Sequence, residues 1–116
     1  MNESLEVSWS GEHAIVRMPA ELDLANAASV DSQLAHICQG ARGVITVDLS
    51  GTSFCDSAGL QSLARGHRLA TENGGELRLA IGDSPVLRIL QLTGTDQVLP
   101  VYRDVKHSLD TPRAGA

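Results

Sequence analysis

The densest run of groups able to do chemistry is Asp48-Leu49-Ser50-Gly51-Thr52-Ser53-Phe54-Cys55-Asp56-Ser57-Ala58-Gly59-Leu60. It places four hydroxyls, Ser50, Thr52, Ser53 and Ser57, and the Asp56 carboxylate between a hydrophobic strand and a helix. A helix start offers backbone N–H donors without intrahelical acceptors and the positive end of the dipole. Ser57 or Asp56 can therefore serve as an N-cap, worth about 1 kcal/mol. The same geometry tolerates a phosphoryl group on Ser57, which brings a charge of about −1.5 to −2. A partner shaped for the neutral hydroxyl would then have to desolvate or repel that charge. Residue types alone leave both uses open.

Other chemistry has less support. His13, His36, His67 and His107 are scattered without metal-ligand spacing, and His67 reads as a partly buried helix residue. Asp48 and Asp56 suggest a phosphoryl-accepting aspartate, but that chemistry needs an acidic cluster after the first strand and a late lysine. The first strand has no such cluster, and Lys106 is the only lysine. Cys38 and Cys55 read as small apolar side chains that stay reduced. Arg65 and Arg68 make a small basic face that is expected to be solvated. No G-x-x-x-x-G-K-[ST] and no G-x-G-x-x-G occurs, so no cofactor is expected and no activity of an enzyme.

The elements that must position this segment follow from periodicity and punctuation. Leu5, Val7 and Trp9 alternate with polar residues, Ser10-Gly11-Glu12 turns the chain, and Ala14, Ile15, Val16 and Met18 form a second strand. Asp23 stands where a helix N-cap belongs, ahead of a stripe of Ala27, Val30, Leu34, Ile37 and Cys38 closed by a left-handed Gly40. Val44 to Leu49 is apolar at both parities, as a strand covered on both faces would be. A second helix is expected from Leu60 to about Thr71, burying Leu60, Leu63, Ala64, His67 and Ala70, and Asn73-Gly74-Gly75 ends it.

Glu76 to Ile81 is the next strand, followed by Ser84-Pro85 as cap and first residue of a short helix over Val86–Leu92 that Gly94 closes. Val98 to Val101 reads as a last strand, with Pro100 pointing to a sheet edge. A short helix near Arg103–Leu109 follows. The fold class is α/β: a single domain with a mixed sheet and about four helices packed on it. The domain spans 1–110, with 111–116 as a loose tail.

A chain of 116 residues holds one core, and with 42% apolar but only 3% aromatic residues that core is aliphatic. A formal net charge of −5 argues against electrostatic binding of nucleic acid or an anionic membrane, which leaves a protein partner. There is no apolar run of membrane-spanning length, and Met1-Asn2-Glu3-Ser4 lacks the layout of a secretion signal, so a cytoplasmic protein is expected.

Asp56-Ser57-Ala58-Gly59-Leu60, after a hydrophobic strand and an Asp-Leu-Ser loop, resembles the D-S-[ST]-G-L signature of STAS-domain anti-sigma factor antagonists. Ala20-Glu21-Leu22-Asp23 resembles that family's G-E-L-D loop, and Gly74-Gly75, Leu92-Thr93-Gly94 and Asp96 fall in matching order. The resemblance implies a STAS-like domain that, unphosphorylated, binds an anti-sigma factor acting also as a serine kinase and so frees a sigma factor. It implies phosphorylation at Ser57, reversal by a serine phosphatase, and a contact surface of Glu21, Asp23, Ser53, Asp56, Ala58 and Leu60. Two departures stand out: Ala20 replaces the usual Gly, and Ala58 replaces the usual Ser or Thr. The alternative is a STAS-like docking subunit of a lipid-transport or stress-sensing complex, in which Ser57 is only a cap.

Overall fold

The structure, a computed structural model, describes residues 4–40 and 42–113. The chain runs β1 (Glu6–Ser10), β2 (His13–Arg17), β3 (Glu21–Leu22), α1 (Ala27–Gly40), β4 (Val44–Asp48), β5 (Phe54–Cys55) and α2 (Ser57–Glu72). It continues through β6 (Glu76–Ala80), α3 (Pro85–Leu92), α4 (Thr95–Val98), β7 (Val101–Tyr102) and α5 (Val105–Asp110). Five strands form one mixed sheet in the order β1-β2-β4-β6-β7, with β1 antiparallel to β2 and every later pair parallel. The small strands β3 and β5 pair with each other, in parallel, as a separate ribbon.

Strand parity sorts the side chains of the sheet. Ala14 and Val16 of β2, Ile45 and Val47 of β4, and Leu77 and Leu79 of β6 join Val30, Leu34, Leu63, Val86 and Leu90 from α1, α2 and α3 in one aliphatic core. The opposite parity is more polar, with His13, Arg17, Thr46, Asp48, Glu76 and Arg78, and meets α5. There Thr46 Oγ1 lies 2.7 Å from Ser108 Oγ and 2.7 Å from His13 Nε2. Arg78, whose side chain is almost fully buried, pairs with Glu76 at 3.1 Å and donates to the carbonyls of Ser108 (2.5 Å), Thr111 (2.7 Å) and Pro112 (3.2 Å). Its guanidinium also lies 5.1 Å from the Tyr102 ring centroid. A buried cation is retained because each of its nitrogens meets an acceptor. Residues 111–113 are thereby tied to the sheet, Arg113 also donating to the Gly74 carbonyl at 2.8 Å; residues 114–116 of the expected tail lie outside the described residues.

Several expected elements are displaced. Asp23 does not cap α1: its Oδ1 accepts from Ala25 N in a preceding turn, and the helix starts at Ala27. Gly40 is not the left-handed closure, since positive φ among the described residues is confined to Gly11, Gly74 and Gly94. On α2 the buried face is Gly59, Ser62, Leu63, Gly66 and Ala70, whereas Ala64 is exposed. α1 lies so close that a Cβ on Gly66 would sit 2.7 Å from Leu34 Cδ2, so the contact face is built from small residues that a count of apolar side chains misses. The last strand begins after Pro100, not at Val98, because Thr95–Val98 folds into α4, a short helix beyond the four expected. Pro100 lies at the sheet edge and contributes its carbonyl, which accepts from Leu79 N at 2.8 Å.

Candidate functional site

The β3–β5 ribbon brings two distant loops together. Glu21 lies opposite Phe54 and Leu22 opposite Cys55. The pairing is extended at both ends: Ser53 N donates to the Ala20 carbonyl at 2.8 Å, and Asp56 N to the Leu22 carbonyl at 3.1 Å. Thr52 Oγ1 donates to the Pro19 carbonyl at 2.9 Å, and Asn26 Nδ2 to the Glu21 carbonyl at 2.6 Å. Ser53 thus lies beyond the Glu21–Phe54 end of the ribbon, and Asp23, Asp56 and Ala58 follow its Leu22–Cys55 end. Ala20 fits without strain, because no described residue other than glycine has positive φ.

Asp56 is the N-cap of α2. Its extended backbone (φ −99°, ψ −173°) turns the carboxylate over the helix start, where Oδ1 accepts from Gly59 N at 3.1 Å. Oδ2 accepts from Leu24 N at 3.1 Å, tying the loop after β3 to the helix. Capping therefore falls to Asp56, and Ser57 is left as the first residue of α2, exposed, with no side-chain hydrogen bond among the described residues. The N–H groups of Ser57 and Ala58 belong to the first turn, which has no intrahelical acceptors. An exposed serine thus opens a helix of 16 residues at its positive end.

Gly59 sets how near this helix start comes to the ribbon. A Cβ there would lie 2.7 Å from the Leu22 carbonyl oxygen and 2.9 Å from Cys55 Sγ, so only glycine lets the first turn of α2 rest on β3. Leu60 is half-buried against the core. Cys55 and Cys38 are buried, and burial pushes both thiols up to about 11, with the Asp56 charge adding to the effect at Cys55. Neither is a ready nucleophile.

Two exposed apolar residues on the segments joined to the helix start were missed in the sequence. Leu24 is 80% exposed in the loop held by Asp56, and Phe54 is 45% exposed on β5. The signal was available: the only phenylalanine of the chain sits inside a polar loop. The other candidates lie elsewhere. Asp48 Oδ1 accepts from Ser50 N at 2.9 Å, and its Oδ2 lies 3.8 Å from Arg17. Arg65 is fastened to both oxygens of Asp31 at 3.0 Å, and both it and Arg68 are exposed. His67 is half-buried with Nδ1 unpaired among the described residues. Among the described residues no group of His, Cys, Asp or Glu side chains forms a possible metal site, and no helix is long and apolar enough to cross a membrane.

The family model of the STAS domain matches residues 4–108. The chain belongs to the STAS domain family. This STAS domain is 28% identical over 110 residues to a protein of Paenibacillus polymyxa named anti-sigma F factor antagonist, with 94% of each chain covered. It superimposes with a TM-score of 0.79 on an anti-sigma-factor antagonist (STAS) domain protein from Planctomyces limnophilus, at 24% identity over 90% of this chain and 93% of that one. It also superimposes, with a TM-score of 0.68 and 21% identity, on the Bacillus cell fate determinant SpoIIAA in its phosphorylated form, covering 91% of this chain and 96% of that one. These structural likenesses establish the fold.

Proposed function

We propose that this STAS domain is an anti-sigma factor antagonist: unphosphorylated, it binds an anti-sigma factor that is also a serine kinase, and so releases a sigma factor. The γ-phosphoryl group of ATP passes to Ser57 Oγ, the hydroxyl proton is lost and ADP leaves. A serine phosphatase then returns the hydroxyl by hydrolysis. The observation that carries this reading is the exposed Ser57 at the first position of α2, relieved of capping by Asp56, with exposed Leu24 on the loop that Asp56 holds and exposed Phe54 on β5. The contact surface is Glu21, Asp23, Ser53, Asp56, Ala58 and Leu60, with Leu24 and Phe54 as its apolar anchors. The name of the Paenibacillus relative and the phosphorylated state of the Bacillus one support the assignment.

Phosphorylation works here because the helix start accepts the new charge while the partner cannot. Free N–H groups stabilise the phosphoryl oxygens locally. A partner packed on Leu24 and Phe54 would have to bury a group of about two negative charges, and a few kcal/mol suffices to dissociate a transient complex. A docking subunit that uses the same fold without phosphorylation draws no support from Ser57, since the cap is Asp56. Incubation with ATP and the cognate anti-sigma kinase, followed by mass-spectrometric mapping, is expected to place the phosphate on Ser57 and to find none in Ser57→Ala. Wild-type incorporation into Ser57→Ala would reject Ser57 as the acceptor and leave Thr52 and Ser53 as candidates.

A further inference from the structure

The two edges of the five-stranded sheet are unlike. β7 is two residues long and follows Pro100, so it offers little to pair with. β1 is five residues long, exposed at every position, and contains no proline or lysine. It carries the chain's only tryptophan, Trp9, 58% exposed, beside Val7 at 38%.

The hairpin fixes which backbone groups face outward. β1 and β2 are joined by the two residues Gly11 and Glu12, with positive φ at Gly11 alone, so Ser10 and His13 form the closing, hydrogen-bonded pair. Alternation then turns the backbone groups of Ser10, Ser8 and Glu6 toward β2 and those of Val7 and Trp9 toward the open edge. Leu5 N, next along that edge, is already taken by Gln33 Oε1 at 2.7 Å. Val7 and Trp9 are opposite Val16 and Ala14, so their side chains lie on the helix-covered face of the sheet.

We infer that β1 is a homodimerisation edge, pairing antiparallel with β1 of a second copy about a two-fold axis at Ser8. The sequence Glu6-Val7-Ser8-Trp9-Ser10 is self-complementary in that register. Val7 faces the partner's Trp9, twice over, and these are the residues whose N–H and C=O groups point outward, so each pair exchanges two hydrogen bonds. Glu6 faces the partner's Ser10, not the partner's Glu6, so no like charges oppose one another. Its own cation, Arg17, stands 3.7 Å away on the same strand pair. The result is a sheet continuous across two copies, with two Val–Trp contacts on one face. One short strand and two apolar residues per copy bury less than the roughly 1,200 Å² of a stable interface, so the dimer is transient and concentration-dependent. Each copy carries a formal charge of −5, so added salt strengthens association by screening.

The register is tested by cross-linking. At the two-fold axis Ser8 and the partner's Ser8 form a non-hydrogen-bonded pair with Cα atoms about 4.5 Å apart, within disulfide range. Ser10 and the partner's Ser10 are separated by four residues along the strands, roughly 14 Å, which is out of range. Native Cys38 and Cys55 are buried and do not compete. With diamide as oxidant at high micromolar protein, Ser8→Cys is expected to cross-link at least about tenfold faster than Ser10→Cys, and adding Trp9→Lys to Ser8→Cys removes the advantage. Wild-type protein is expected to sediment faster, and its tryptophan emission to shift to the blue, as concentration rises. Equal cross-linking of the two cysteine variants, faster cross-linking of Ser10→Cys, or a rate unaffected by Trp9→Lys overturns the inference. So does emission and sedimentation independent of concentration.

Discussion

The side chain of Asp56 accepts from the backbone N–H of Leu24, 32 residues earlier, at 3.1 Å. Its other oxygen caps α2 through Gly59. One carboxylate therefore holds both halves of the candidate contact surface, the loop with Leu24 and the helix start with Ser57. Asp56→Ala is expected to lower stability by about 1 to 2 kcal/mol, since a cap and a loop tether are lost together. Asp56→Asn, which keeps one acceptor oxygen, should recover part of that. Urea unfolding checks the magnitude, and faster amide exchange at Leu24 in the alanine variant checks the tether.

Gly59 tests the close approach of α2 to β3. Alanine there places a methyl group against the Leu22 carbonyl and Cys55 Sγ, and the expected cost is about 1 to 3 kcal/mol. The same change at Gly51, where a Cβ meets nothing within 4 Å, serves as the control and should alter stability by less than about 0.5 kcal/mol. Thermal unfolding of the two variants measures the difference.

The thiols should be inert. With both pushed up to about 11, a thiolate-selective reagent such as DTNB at pH 8 is expected to label neither Cys38 nor Cys55 in the native state. Labelling should be complete within minutes in urea. Rapid reaction of Cys55 in the folded protein would contradict its burial.

His13 introduces a pH dependence of stability. Burial, and secondarily the charge of Arg78, lowers its pKa from the model-peptide value of 6.5. Below 6.5 the unfolded chain takes up a proton that the native state resists, so stability falls as pH drops and levels off once pH is under the native value. Above 6.5 this group contributes no slope. In His13→Gln, urea unfolding between pH 7.5 and 5 should show a shallower decline than in wild type.

Much of the fold was readable because its elements carry strong local signals. The β1–β2 hairpin, the fully buried β4 and the Ser84-Pro85 start of α3 all follow from alternation, a two-sided apolar run and a proline-assisted cap. The β3–β5 ribbon was not readable, because two residues in each strand carry no period and the pairing is set by contacts 33 residues apart. Arg78 sits at a position that pattern alone treats as solvent-facing, and only α5 folding back over the sheet explains its burial. At the site, Ser57 and Asp56 were legible as a pair, but which of them caps the helix was decided by the backbone angles at Asp56. Leu24 escaped notice because nothing local distinguishes an exposed leucine from a buried one.

The central claim is that charge on Ser57 breaks a protein contact without breaking the fold. Calorimetric titration of the cognate anti-sigma kinase with wild type, Ser57→Asp, Ser57→Glu and enzymatically phosphorylated protein, at low and high salt, measures this directly. Both mimics should bind at least about tenfold more weakly, a loss of about 1.4 kcal/mol, and the phosphoprotein more weakly still, because it carries nearly two charges in place of one. Part of the loss should return at high salt, where exposed charges are screened. Equal affinity of all four forms at low salt would contradict the account and leave Ser57 as an exposed helix residue with no part in partner choice.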